Sequence, residues 1–226
     1  MAMNVVSQKL INISLPNVFR YMNKQYTDLF FNEGILRISS FERFRKYPDE
    51  IRGDINEGGG VYQNYSKENT QNLIFTNTGN NGYMFCSSLI FSEKLMKEFN
   101  VDSCIKIKNP LAFSNAILNS IVGSNEAFLG FCNYEDHRMI NKTINFFSDT
   151  DDLDENGNVK IGGEKFNKRI NETIGNGMDL MFLKESKYQE QFEFRFVWNI
   201  DRRYFELNEY IDVECKEAIQ YCEIVK

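Results

Sequence analysis

The sequence predicts a mixed α+β fold, built as one compact domain over residues 1–226 with mixed or antiparallel central sheets and peripheral helices. Three observations predict it. Strand-like and helix-like segments interleave irregularly, without the regular strand-helix alternation of a doubly wound sheet. The chain carries no internal repeat and no linker long enough to divide it. Its composition, 42% hydrophobic and 14% aromatic with 20 Phe and 11 Tyr, supplies a sizeable core.

The elements follow in order. NVFRYM (17–22) reads as a strand, YTDLFFNE (26–33) as a helix stopped by Gly34, and ILRIS (35–39) as a strand. The stretch 47–60, YPDEIRGDINEGGG, is a loop punctuated by Pro48 and its glycines and charged by Asp49, Glu50, Asp54 and Glu57. NLIFT (72–76) and YMFCSSLIF (83–91) are strands, and NTGNNG between them suits a hairpin because Asn and Gly tolerate positive φ. SEKLMKEF (92–99) is a helix capped by Ser92, CIKIK (104–108) a strand, and LAFSNAILNSIV (111–122) a helix entered through Asn109-Pro110. AFLGFCNY (127–134) is a strand, EKFNKRINETI (164–174) a helix, and strands return at 191–200, 209–213 and 219–225.

Composition also narrows the function. No apolar run approaches the roughly 18 residues a membrane span needs, and the first residues lack the apolar stretch of a signal peptide, which leads us to expect a cytoplasmic, membrane-free protein. Five scattered cysteines without a CxxC pair point to reduced, mostly buried thiols. A net charge of −6 argues against broad binding to phosphate backbones, although FERFRK (41–46) and RFVWNIDRR (195–203) place arginine beside aromatics. With His137 as the single histidine, chemistry falls to carboxylates, arginines, hydroxyls or thiols.

Two motifs fail on inspection. Asp152, Asp154, Asn156, Gly157 and Val159 follow the calcium-loop spacing, but Gly163 stands where the bidentate glutamate belongs, so an acidic turn is the better reading and no metal is expected. The glycines at 58–60 lack the Lys-Ser/Thr of a phosphate loop.

KYQEQFEFRFVW (187–198) carries more information. Period-two alternation puts Tyr188, Glu190, Phe192, Phe194, Phe196 and Trp198 on a core face and Gln191, Glu193, Arg195 and Val197 on the other. That second face is either a solvated sheet surface or the floor of a cleft.

The order of polar clusters resembles the ADP-ribosyltransferase superfamily, with Arg20-Tyr21 on an early strand, a serine motif at Ser39-Ser40 or Ser87-Ser88, and Gln191-Phe192-Glu193 on a late strand. YMNKQYTDLFFNEGILRISS, FRKYPDEIRGDINEG and the late Y-x-E-x-x-E-x-R are also similar to a family of bacterial and phage proteins found among defence genes, over residues 17–60, 83–113 and 184–200. The resemblance implies NAD as the substrate, with Glu193 stabilising positive charge at the ribose carbon and Gln191 binding the acceptor. Arg20 either holds the pyrophosphate through its planar donor fork or is a plain surface charge, Tyr21 can stack on nicotinamide, and Arg195 can orient Glu193. Arg52, Asp54 and Glu57 have no counterpart in the superfamily's motifs; they either organise the pocket, grip the acceptor, or form loop salt bridges.

A toxin or antiviral effector is the implied role, with a nucleic acid or protein acceptor and a neutralising antitoxin among its partners. Two other classes stay open. One is a noncatalytic recognition module of a defence system. The other is a magnesium-dependent nuclease using Asp49, Asp54, Glu57 and Glu193, for which Glu193-x-Arg195 offers no nearby lysine.

Overall fold

A computed structural model of the protein describes residues 15–48, 51, 53–65, 71–142, 154–156, 160, 162–175, 177–203 and 205–226. The fold is mixed α+β, its sheets mostly antiparallel. β1 (Val18–Met22) leads into α1 (Lys24–Glu33), β2 (Ile35–Ser40) and the short α2 (Phe41–Arg45). The turn out of α1 requires glycine. Gly34 sits at φ 79° with its N–H on the Phe30 carbonyl, and a Cβ there would meet the Lys216 backbone at 2.9 Å.

β3 (Gly59–Tyr65), β4 (Gln71–Asn77) and β9 (Met139–Lys142) form a three-stranded sheet in the order β4-β3-β9. β5 (Gly82–Ser88), β6 (Ser103–Ile107), β7 (Ser124–Phe131), β11 (Glu193–Ile200), β12 (Tyr210–Glu214) and β13 (Cys222–Ile224) join β1 and β2 in an eight-stranded antiparallel sheet. A small parallel pair joins β8 (Asn133–Glu135) to β10 (Leu183–Glu185). The remaining helices are α3 (Glu93–Glu98), α4 (Pro110–Ser120), α5 (Glu164–Ile174) and α6 (Met178–Met181).

The expected hairpin between residues 72–76 and 83–91 is not formed. β4 pairs with β3 and β5 belongs to the large sheet, so the Asn/Gly turn reverses the chain between two sheets. The expected strand over 127–134 is broken at Cys132, whose N–H bonds the Glu193 carbonyl, into β7 and β8. The calcium-like spacing from Asp152 onward lies largely outside the described residues.

The main core fills one face of the large sheet. Phe85, Phe113, Phe194, Phe196 and Trp198 pack there edge-on and stacked, and the Trp198 indole donates to the Ser114 carbonyl of α4 at 3.1 Å. Each such ring contributes about 1.5–3 kcal/mol by its burial. The opposite face is also covered, by Phe41 of α2 and Met181 of α6 against Met84 and Val197. All eight residues of β11 are therefore buried, and its second face is not a solvated surface.

Serine caps stop two helices from fraying. Ser92 accepts from the Leu95 N–H at 3.3 Å and Ser40 from the Arg43 N–H at 3.2 Å. Ser92→Ala is expected to lower stability by about 1 kcal/mol in denaturant unfolding, and an unchanged midpoint would show that α3 needs no cap.

Candidate functional site

A strand has two edges, yet β5 has three neighbours. β11 pairs with it along its whole length, so β1 and β2 must share the other edge: β2 pairs at Tyr83 and Met84, β1 only at Ser88. Between those contacts the ladder is open, and a cavity of about 270 Å³ occupies the gap. Arg20 reaches in from β1, lies 4.6 Å from the Phe85 ring centre, and donates through Nη1 to the Cys86 carbonyl at 2.6 Å. Its Nε is buried with no hydrogen-bond partner.

Glu193 opens β11 directly opposite Ser88. Its carboxylate is 4% exposed and lines the cavity with Arg20, Ser88 and Gln191. Oε1 accepts from Arg195 Nε at 2.6 Å, Oε2 accepts from Lys184 Nζ, and the Glu193 N–H donates to the Tyr134 hydroxyl at 2.8 Å. Arg195, fully buried, extends the network by gripping Glu57 with two N–H groups at 2.7 and 3.1 Å and donating to the Met181 carbonyl at 2.5 Å. Two carboxylates and two cations balance, as buried charges must.

Gln191 reaches the cavity by an unexpected route. The strand does not begin until Glu193. Gln191 ends a 3-10 turn over Ser186–Gln191, and Phe192 takes φ 45° and turns outward, 46% exposed. The left-handed residue replaces the expected alternation, so Phe192 is not in the core. The Gln191 amide donates to the Ile51 carbonyl at 2.9 Å and accepts from Lys184 at 2.8 Å, pinning the 47–58 loop beside the cavity.

The other expected site residues divide. Tyr21 lines the cavity, while its hydroxyl is spent on the Ile90 carbonyl at 2.6 Å and the Ser92 N–H at 2.7 Å. Ser39, Ser87 and Ser88 line the cavity, whereas Ser40 caps α2. The register places Ser87-Ser88 between the strands of Arg20 and Glu193, and Ser39 farther along β5 at Met84. Glu57 lines the cavity, but Asp54 is turned away to Arg138 at 2.6 Å. Arg52 and Asp49 lie outside the described residues.

Sequence reasoning missed Lys184 and Arg138. Lys184 supplies the lysine thought to be lacking near Glu193; it comes from β10, nine residues earlier. Arg138, at φ 45°, ties Asp54, the Gly59 carbonyl and the Leu183 carbonyl together. Nothing in its local sequence signals this role. Among the described residues no three His, Cys, Asp or Glu side chains are grouped to hold a metal ion, and no helix is long and apolar enough to cross a membrane.

Comparison with known protein families, curated proteins and solved structures finds no match to this chain.

Burial would raise the Glu193 carboxyl, but the charges and hydrogen bonds of Arg195 and Lys184 outweigh it and hold the group well below the usual carboxylate range. Burial pushes the Cys86 and Cys132 thiols up, which keeps both as poor nucleophiles. A carboxylate depressed by folding stabilises the native state fully above its unfolded pKa, and that stability is lost as pH falls toward the folded value. Acid unfolding is thus expected to begin below about pH 4.3, the unfolded glutamate value, followed by fluorescence of the single, buried Trp198. Glu193→Gln should flatten the dependence of stability on pH there; an identical slope in the variant would remove Glu193 from the account.

Proposed function

We propose that the chain has the ADP-ribosyltransferase-like fold and is an NAD-dependent mono-ADP-ribosyltransferase, acting as a toxin or antiviral effector on a nucleic acid or protein acceptor. One observation carries this reading: three adjacent strands bring Arg20, Ser87-Ser88 and Glu193 to the same cavity, with Glu193 directly opposite Ser88.

The residues present fit NAD. The buried, unpartnered Nε of Arg20 is a donor that a pyrophosphate oxygen can satisfy. Tyr21, Phe44 and Phe85 supply apolar walls for a ring. Each Glu193 oxygen holds one cation and keeps a lone pair for a ribose hydroxyl.

In the reaction, the bond between the ribose carbon and nicotinamide breaks, and its electron pair leaves with nicotinamide. Positive charge grows on the ribose, and a carboxylate fixed in its ionised form attracts that charge only as it develops. The acceptor nucleophile then bonds to the ribose carbon and gives its proton to water. Arg195, Glu57 and Lys184 hold the carboxylate still, and Gln191 stands beside it for the acceptor.

Lys184 beside Glu193 favours a second reading, the metal-dependent nuclease. Against it, Glu57 and Glu193 are both committed to Arg195. Incubation with labelled NAD and cell extract, using wild type and Glu193→Gln, tests the two. Glu193-dependent label in protein or nucleic acid supports transfer. No NAD loss together with magnesium-dependent cutting of nucleic acid would replace it with the nuclease.

A further inference from the structure

The cavity mouth carries a feature that the transfer chemistry does not use. Guanidinium and phenol groups alternate beside it, Tyr26, Arg37, Arg43 and Tyr47 lining the cavity and Tyr210 joining them from β12: Arg37 lies 5.8 Å from the Tyr26 ring and 4.1 Å from the Tyr210 ring, and Arg43 lies 5.2 Å from Tyr210 and 5.8 Å from Tyr47. The row is built by register. On β2 and β12 the cross-strand pairs Arg37/Asp212 and Ser39/Tyr210 are two residues apart and share one face, and α1 and α2 add Tyr26 and Arg43. Tyr26 and Tyr210 remain 37% and 39% exposed.

Both arginines already have counter-charges. Arg37 is bound by Asp212 through two bonds of 2.7 Å and Arg43 by Glu209 at 3.2 Å. With the guanidinium planes packed on the rings and paired to carboxylates, the row offers the exposed parts of the Tyr26 and Tyr210 rings without surplus charge. Flat faces select planar groups, and unstacked nucleobases stack on phenol rings and guanidinium planes whatever their sequence. The Glu193 carboxylate lines the cavity and is only 4% exposed, so the acceptor must send in a single slender group, which one nucleotide turned out of a single strand can do.

We infer that this row docks a single-stranded nucleic acid, its bases lying against Tyr26, Arg37 and Tyr210 while one nucleotide enters the cavity as acceptor. The inference names the acceptor class of the transfer reading and rests on it.

The test is equilibrium anisotropy on the full chain, without NAD, using a short labelled single strand as DNA and as RNA, an abasic strand of equal length, and a duplex. Single strands should bind, and either sugar satisfies the inference. Abasic strand and duplex should bind at least about tenfold more weakly, as the loss of base stacking requires. Tyr210→Ala should weaken binding about tenfold and Tyr210→Phe should restore it, because the ring and not the hydroxyl makes the contact. With its arginines already paired, the row should show a salt slope shallower than about −1.4, the value two phosphate contacts give on a single strand. Equal affinity for the abasic strand, full affinity in Tyr210→Ala, or a steep salt slope would overturn the proposal. So would NAD-derived label appearing in protein alone. A chain that binds bases as described yet never consumes NAD would sink the transfer reading and leave the docking row standing.

Discussion

Arg195→Ala is expected to destabilise the fold by about 3–5 kcal/mol, because truncating one member of a buried ionic network leaves its partners charged and dry. The guanidinium serves both Glu57 and Glu193 and also a backbone carbonyl, and no water reaches it to take over. Arg195→Lys keeps the charge but not the planar fork, so it should recover only part of the loss. Adding Glu57→Gln to Arg195→Ala should also recover part, since one orphaned carboxylate is gone and the two sites are in direct contact. Denaturant unfolding followed at Trp198 measures all of these. A loss below about 1 kcal/mol for Arg195→Ala, the range of an exposed pair, would mean that the network is open to solvent.

If the proposed transfer chemistry holds, Glu193→Gln is expected to reduce ADP-ribose transfer by about 10²–10³-fold, the scale found when one preorganised electrostatic group is removed from a reacting centre. The amide keeps the shape but removes the charge that, in the proposed reaction, a ribose cation would feel. It also leaves Lys184 and Arg195 less well balanced, so each preparation must first show native Trp198 fluorescence. Activity within tenfold of wild type in a folded variant would take Glu193 out of the chemistry.

Where the fold was legible in the sequence, the signal was local. Ser92, Asn109-Pro110 and Gly34 set helix ends through bonds made within a few residues, and α5 falls on Glu164–Ile174 as its spacing predicts. Partner choice was not legible. The turn after β4 has hairpin chemistry, but β4 pairs with the glycine-rich β3, a segment that reads as the end of a loop because its strand character comes from its neighbours. For the site, Glu193 and Arg20 could be proposed from their strands. Lys184 and the Glu57–Arg195 pair could not, the latter being 138 positions apart in the chain. The Tyr and Arg row escaped for the same reason: Arg37 and Tyr210 meet only because β12 docks on β2.

The shared edge of β5 has one more consequence. The chamber exists because β1 and β2 each leave β5 after a short pairing and continue along β6 and β12, so that residues 20–22 and 35–38 run past the open edge without joining it and the Arg20 guanidinium spans the gap to the Cys86 carbonyl. Both strands already carry enough residues to cover that edge, so what keeps the chamber open is which neighbour each strand follows. The recess is thus specified by a fork in the sheet more than by the side chains around it.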